Sequence, residues 1–296
     1  WCRMQEAIAT VRRTREIQDR YGLQAKKKFG QNFITEPGVV EKIARSAIDD
    51  PSDLVFEIGP GIGALTQFLC EKAQKVVAFE VDPRLPEILQ AELGADNLTV
   101  ILQDFLEAPV EDIIDQFCEP GQKVRFASNL PYYITTPILF RLFESGADIA
   151  SVTAMMQKEV ADRFTAGPGS PDYNALSVIT RYRTHVRKVM DVSRQVFSPR
   201  PNVDSAVVRF DFIKDHPVRD EKLFIDMVKA CFVQRRKTIS NNLRQWLQDK
   251  ELAAKILEKA GIDPAARAQN LDLETFIRLY EENYEDIRKC KGESRP

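Results

Sequence analysis

Leu54-Val55-Phe56-Glu57-Ile58-Gly59-Pro60-Gly61-Ile62-Gly63 is a short apolar run that ends in three closely spaced glycines and opens a helical pattern from Ile62 to Lys72. Its length and its bounding glycines predict a strand over Leu54–Ile58 that is buried on both faces. The glycines predict a tight turn and a close approach of ligand to backbone. Their spacing is not that of the G-x-G-x-x-G dinucleotide motif, in which the helix start receives a pyrophosphate. Instead a carboxylate, Glu57, precedes the turn. An anion beside it is repelled, whereas a cationic ligand is attracted. S-adenosylmethionine, with a sulfonium and an ammonium, suits that environment.

Working outward, strands are expected at Lys75–Glu80, Leu98–Gln103, Val124–Ser128 and Ser151–Gln157. Helices fit Ile62–Lys72, Pro86–Leu93, Val110–Phe117, Pro137–Gly146 and Lys158–Thr165. Upstream, Met4–Tyr21 and Pro37–Ile48 carry helical spacing. The alternation predicts an α/β fold with a parallel sheet covered on both faces. Asn174–Tyr182 reads as a helix, and Arg183–Val192 and Ser205–Phe212 read as strands. After residue 215 every pattern is helical: Leu223–Phe232, Ile239–Leu247, Leu252–Ala260 and Leu273–Ile287. A boundary is therefore expected near residue 215, giving domains 1–215 and 216–296.

The strand ends carry the chemistry. Glu80 closes the second strand, where a carboxylate can accept from ribose hydroxyls, and Asp104 follows the third, placed to accept from an adenine amino group. Asn129 ends the fourth and leads into Leu130-Pro131-Tyr132-Tyr133. Pro131 denies the strand further ladder bonds and frees backbone carbonyls beside a carboxamide and flat aromatic rings. Those are the parts needed to hold a planar, amine-bearing base.

Net charge is only −2, so indiscriminate nucleic-acid binding is disfavoured, but the cations are clustered. Lys26, Lys27 and Lys28 form one block. Arg181, Arg183, Arg187, Lys188, Arg194 and Arg200 form a second, and Arg235, Arg236 and Lys237, expected on a helix, form a third. Five scattered cysteines without C-x-x-C spacing and only two histidines argue against a zinc site or a disulfide framework, and a reducing cytoplasm fits. The first twenty residues read as charged and helical rather than as a signal sequence, and no apolar run is long enough to span a membrane.

Lys28-Phe29-Gly30-Gln31-Asn32-Phe33, Glu57-Ile58-Gly59-Pro60-Gly61, Asn129-Leu130-Pro131-Tyr132 and Phe197-Ser198-Pro199-Arg200-Pro201-Asn202-Val203-Asp204-Ser205 together resemble the motifs of the rRNA adenine N6,N6-dimethyltransferases. Arg235-Arg236-Lys237-Thr238 with Asn241-Asn242-Leu243, and Gly261-Ile262-Asp263-Pro264 with Arg267-Ala268, resemble the helical tail of the small-subunit branch. The resemblance implies a Rossmann-like class I methyltransferase sheet with a smaller all-helical C-terminal domain that docks on rRNA. It implies that S-adenosylmethionine is held by Asn32, Ile34, Gly59, Glu80, Asp104 and Asn129. It also implies that the product is N6,N6-dimethyladenosine on two neighbouring adenosines near the 3′ end of small-subunit (16S) rRNA, within the immature 30S subunit.

In that setting Asn129 with the Leu130 or Pro131 carbonyl is expected to accept the amine hydrogens, and Tyr132 and Phe197 to sandwich the base. Lys26, Lys27, Lys28, Arg200, Arg235, Arg236 and Lys237 are expected to contact phosphates. Tyr133 stands where many relatives have Asn. A monomer is the default expectation, with no metal. Competing readings are a large-subunit resistance methylase, disfavoured by the helical tail, and an assembly checkpoint protein in which catalysis is incidental. DNA adenine methylation and nicotinamide chemistry fit less well.

Overall fold

A computed structural model describes residues 6–23, 32–215 and 217–292. The chain opens with α1 (Val11–Tyr21), β1 (Phe33–Ile34), α2 (Pro37–Ala47), β2 (Leu54–Ile58), α3 (Ala64–Lys72), β3 (Lys75–Glu80), α4 (Leu85–Leu93) and β4 (Leu98–Leu102). It continues through α5 (Val110–Phe117), β5 (Val124–Asn129), α6 (Thr135–Phe143), β6 (Ile149–Gln157), α7 (Lys158–Thr165), α8 (Ala175–Arg183), β7 (Thr184–Val192), β8 (Phe197–Ser198) and β9 (Ser205–Phe212). Five helices close it: α9 (Glu221–Cys231), α10 (Ile239–Leu247), α11 (Lys250–Lys259), α12 (Leu273–Glu282) and α13 (Tyr284–Gly292).

Seven strands form one sheet in the order β4-β3-β2-β5-β6-β9-β7. Pairing is parallel from β4 through β6, and β9 runs antiparallel to β6. Chain order reverses between β2 and β5, so the crevice at their carboxyl ends is the topological switch point. The two strands pair only as far as Phe56 and Phe126 and then separate. The Ile58 N–H that would otherwise be orphaned donates to Ser128 Oγ at 2.9 Å. Residues alternate between faces as the pleat requires. Val55, Val76, Ala78, Ala127, Met155 and Val207 join the core with α2 and α3. Phe56 stacks with Phe126 at 5.2 Å and Phe79 at 6.0 Å on the opposite face.

The expected helix from Met4 begins only at Val11. Thr10 caps it through its side chain, and Ile8 is held in the core by its N–H on Gln67 Oε1. Arg13, Arg20 and the Tyr21 hydroxyl converge on buried Glu92 of α4, fixing α1 there. At the amino ends of the parallel strands the buried Arg125, with Asp53 and Asp49, and the buried Arg209, with Asp49 and Asp211, make an ionic network whose shared Asp49 is half-exposed.

Two compact units emerge from the contacts. One holds the chain through Ala161 plus Arg187–Phe212, and the other holds Asp162–Val186 plus the chain from Ile213 onward. The sequence led to a single cut near residue 215. The second unit also takes the 162–186 segment because its aromatics complete a helical core: Tyr182 meets Phe224 at 5.0 Å and Tyr173 meets Phe232 at 6.0 Å. The single helix expected over Leu273–Ile287 is two. Asn283 breaks it, burying an amide that donates to the Ile256 and Leu279 carbonyls. Among the described residues no helix is long and apolar enough to cross a membrane.

Candidate active site

At the switch point lies a cavity of about 360 Å³. Asn32, Ile34, Gly59, Glu80, Asp104, Asn129, Leu130, Pro131, Tyr132 and Phe197, expected from sequence to form the site, all line it. Its charged lining residues are Glu57, Glu80 and Asp104, with no Lys or Arg among the described residues that face it.

The floor is the turn after β2. Gly59 (φ 71°), Gly61 (φ 58°) and Gly63 (φ 96°) are all left-handed, which a side chain would strain. A Cβ on Gly63 would also come within 3.0 Å of Leu89, so this glycine lets α3 sit against α4. The turn is held from β3, for Gly59 N–H donates to the Phe79 carbonyl at 2.9 Å. Glu80 Oε1 accepts from the Val81 and Asp82 amides, both at 2.8 Å, which fixes the carboxylate. Oε2 has only a long bond from Gly61 N–H at 3.4 Å and so retains acceptor capacity. Burial raises the Glu80 carboxyl above its usual range, and the backbone donors oppose that only in part.

Glu57 is more extreme. It is 1% exposed, and burial, opposed only in part by the Thr66 hydroxyl and reinforced by Glu80's charge, pushes it up to about 8. Asp104 is exposed, with Oδ1 accepting from Leu106 N–H at 2.9 Å.

On the other side of the crevice, β5 delivers Asn129, whose carboxamide has no hydrogen-bond partner among the described residues. Of the two carbonyls considered as its companion, that of Pro131 is already taken by Thr135 Oγ1 at 3.0 Å and Ile134 N–H at 3.2 Å. The Leu130 carbonyl has no such donor, so the pair available to an amine is Asn129 Oδ1 and Leu130 O. Tyr132 and Tyr133 lie in a short 3-10 turn. The Tyr132 hydroxyl is 2.6 Å from Ser205 Oγ, which sets the ring, and burial raises its phenol. Tyr133 is 57% exposed yet lines the cavity.

One element escaped sequence reading. β1 pairs with β8 antiparallel, Phe33 with Ser198 and Ile34 with Phe197. Thr35 adds an N–H bond to the Val196 carbonyl at 2.8 Å. Two-residue strands give no periodicity, so nothing in the pattern announced the pairing. It brings the Asn32–Ile34 segment onto Phe197, which is only 4% exposed and serves both core and cavity wall. Ser128, the polar residue inside an apolar strand, was the one visible sign of the bond that holds the crevice open.

The basic blocks fare unevenly. Lys26, Lys27 and Lys28 lie outside the described residues. Arg181 caps the Thr165 and Ala166 carbonyls, Arg183 pairs with Glu221 at 2.6 Å, Lys188 pairs with Asp191, and Arg194 binds the Asn202 carbonyl. Arg200 is exposed. Arg235, Arg236 and Lys237 are exposed too, but in the turn between α9 and α10 rather than on the expected helix, where Phe232 and Thr238 end one helix and cap the next. Arg235 is held by Gln269 and the Pro171 carbonyl.

The model of the family described as ribosomal RNA adenine dimethylase matches residues 22–285. The chain belongs to that family. The ribosomal RNA small subunit methyltransferase A of Bacillus cytotoxicus is 47% identical over 280 residues, covering 92% of this chain and 96% of that one. A dimethyladenosine transferase from Plasmodium falciparum superposes with a TM-score of 0.72 at 27% identity, over 85% of this chain and 97% of that one. The 23S rRNA methyltransferase ErmE gives 0.66 at 29% identity, over 85% and 99%. The dimethylase family thus supplies the same class I methyltransferase sheet that the strand order shows.

Proposed function

We propose that this dimethylase-family chain transfers methyl groups from S-adenosylmethionine to the N6 of two adjacent adenosines near the 3′ end of small-subunit rRNA, giving N6,N6-dimethyladenosine on the immature 30S subunit. One observation carries the reading: an unpaired carboxamide and a free carbonyl, Asn129 Oδ1 and Leu130 O, edge a cavity whose charged lining residues are all acids. When bound, S-adenosylmethionine supplies an electrophilic methyl on a positive sulfur. Its cationic end suits a lining whose charged residues are all acids, and Glu80 Oε2, Asp104, Asn32, Ile34, Gly59 and Asn129 would hold it.

The amine of adenine is a poor nucleophile because its lone pair is shared with the ring. Asn129 and Leu130 accept its two hydrogens and favour a pyramidal nitrogen. Such positioning contributes about 7–11 kcal/mol when the attack geometry is good. As the N–C bond forms and the S–C bond breaks, the nitrogen becomes positive, these acceptors stabilise the transition state more than the ground state, and the surplus proton leaves to solvent afterwards. Tyr132 and Phe197 flank the base, and stacking of about 1–3 kcal/mol offsets its extrusion. The 216–296 region acts as the rRNA-docking part, with Arg200, Arg235, Arg236, Lys237 and Lys26–Lys28 at phosphates. The enzyme works as a monomer in the cytoplasm.

The test is incubation of immature small subunits with labelled S-adenosylmethionine, followed by nucleoside analysis. Dimethyladenosine is expected in small-subunit rRNA. Asn129→Ala should lower turnover by about 10²-fold while leaving RNA binding unchanged, by analogy with loss of one transition-state hydrogen bond. Label confined to large-subunit rRNA, cytosine or protein overturns the proposal.

A further inference from the structure

Tyr132 and Tyr133 are adjacent in one 3-10 turn, yet the fold sends them to different sides of the crevice. Three residues per turn set neighbouring side chains about 120° apart. The Pro131 carbonyl, accepting from Ile134 N–H and Thr135 Oγ1, fixes the turn itself. From it the Tyr132 ring reaches toward β9, where its hydroxyl lies 2.6 Å from Ser205 Oγ and in the field of Asp204. The Tyr133 ring goes the other way. Burial, then the charges of Asp104 and Glu80, raise its phenol, so it stays neutral at physiological pH. In the sheet β5 separates these destinations, with β6 and β9 on one side and β2, β3 and β4 on the other.

Tyr133 lines the cavity, is 57% exposed and has no hydrogen-bond partner among the described residues. Val81, directly after Glu80, lines the same cavity and is 43% exposed. The Tyr132 ring is set by its bond to Ser205, and Phe197 is buried in the core. Tyr133 is thus the cavity tyrosine whose ring is left half in water, beside the two acids read above as the holders of the donor's ribose and adenine. Such a ring offers a flat apolar face to a planar ligand at low conformational cost.

We propose that Tyr133 grips the donor and not the target: its ring covers the purine of S-adenosylmethionine on the Glu80 and Asp104 side, leaving Tyr132 and Phe197 to the target base. The inference rests on S-adenosylmethionine being the donor, as read above. It divides two consecutive tyrosines between two substrates that both carry adenine. The spent donor, S-adenosylhomocysteine, has the same purine, so Tyr133 holds it equally and slows the exchange that each further methyl requires.

Calorimetry on the full chain, paired with steady-state kinetics at saturating donor, tests the division. Tyr133→Ala should weaken S-adenosylmethionine and S-adenosylhomocysteine by the same factor, about 5- to 150-fold for one aromatic stack on a base, with the KM for RNA within twofold of wild type. Tyr133→Phe, which keeps the ring, should restore both affinities to within about threefold. Melting temperatures without ligand should agree among the three proteins, because the replaced ring is largely exposed. Donor affinity unchanged in Tyr133→Ala overturns the inference, as does a raised KM for RNA, which would give the ring to the target base. A loss confined to S-adenosylmethionine overturns it too, since that ligand alone carries the sulfonium charge and the ring would then face the cation. Tyr133→Phe as weak as Tyr133→Ala refutes the stack in favour of the hydroxyl. Absence of S-adenosylmethionine binding by the wild type overturns the donor assignment and the inference together.

Discussion

Replacing Glu80 by Gln separates cofactor recognition from folding. In the native site Oε1 is committed to two backbone amides and Oε2 faces the cavity with spare capacity. Gln can satisfy Val81 and Asp82 only with its carbonyl oxygen. Its amino group must then occupy the Oε2 position, where it opposes the Gly61 N–H and meets a ribose hydroxyl as a donor. Losing an acceptor for a buried hydroxyl costs about 1–3 kcal/mol. That weakens S-adenosylmethionine binding by about 5- to 150-fold. The fold itself should not suffer. Burial already raises the Glu80 carboxyl, so the folded state disfavours its charge, and any stability advantage of the Gln variant grows as pH rises. Calorimetric titration paired with thermal unfolding at pH 6 and 8 reads both effects. A Kd within twofold of wild type refutes the placement of the ribose at Oε2.

Glu57 gives a stability signature without ligand: folded protein retains a proton that the unfolded chain loses, so stability falls by about 1.4 kcal/mol per unit between the ordinary carboxylate range and about pH 8. Denaturant titrations of Glu57→Gln should lack that component of the slope. Tyr132→Phe keeps the ring and loses only the Ser205 bond, so it should change turnover modestly, whereas Tyr132→Ala removes stacking of about 1–3 kcal/mol and should raise the KM for RNA. Equal losses in the two would point to the hydroxyl as the functional group. Arg236→Ala should lower the slope of log affinity for rRNA against log salt by about 1. Arg183→Ala, which breaks the Glu221 pair, should instead lower the melting temperature with the salt slope unchanged.

Much of the first unit was legible because parallel strands buried on both faces read as short apolar runs; Lys75–Glu80 is a strand with the bounds its pattern predicts. The polar strand ends Glu80 and Asn129, with Asp104 two residues beyond β4, were legible for the same reason, since the crevice lies at the carboxyl ends. What stayed hidden depends on tertiary contact. Pairing of Ile34 with Phe197 spans too much chain and too few residues to leave a period. Occupation of the Pro131 carbonyl by Thr135 comes from a turn whose geometry the sequence does not show. Arg181 and Arg183 look like RNA ligands in a list of charges, yet their guanidiniums are spent on carbonyls and on Glu221. Arg235, Arg236 and Lys237 lie between helices because the cap at Thr238 restarts the chain after them.

The ladder between Phe33-Ile34 and Phe197-Ser198 makes two distant stretches a single inheritable unit. A slip of that ladder by one residue would turn Phe197 to the opposite face. Grafting either stretch alone from a cousin protein therefore risks misaiming both walls at once; the pair must be transplanted together.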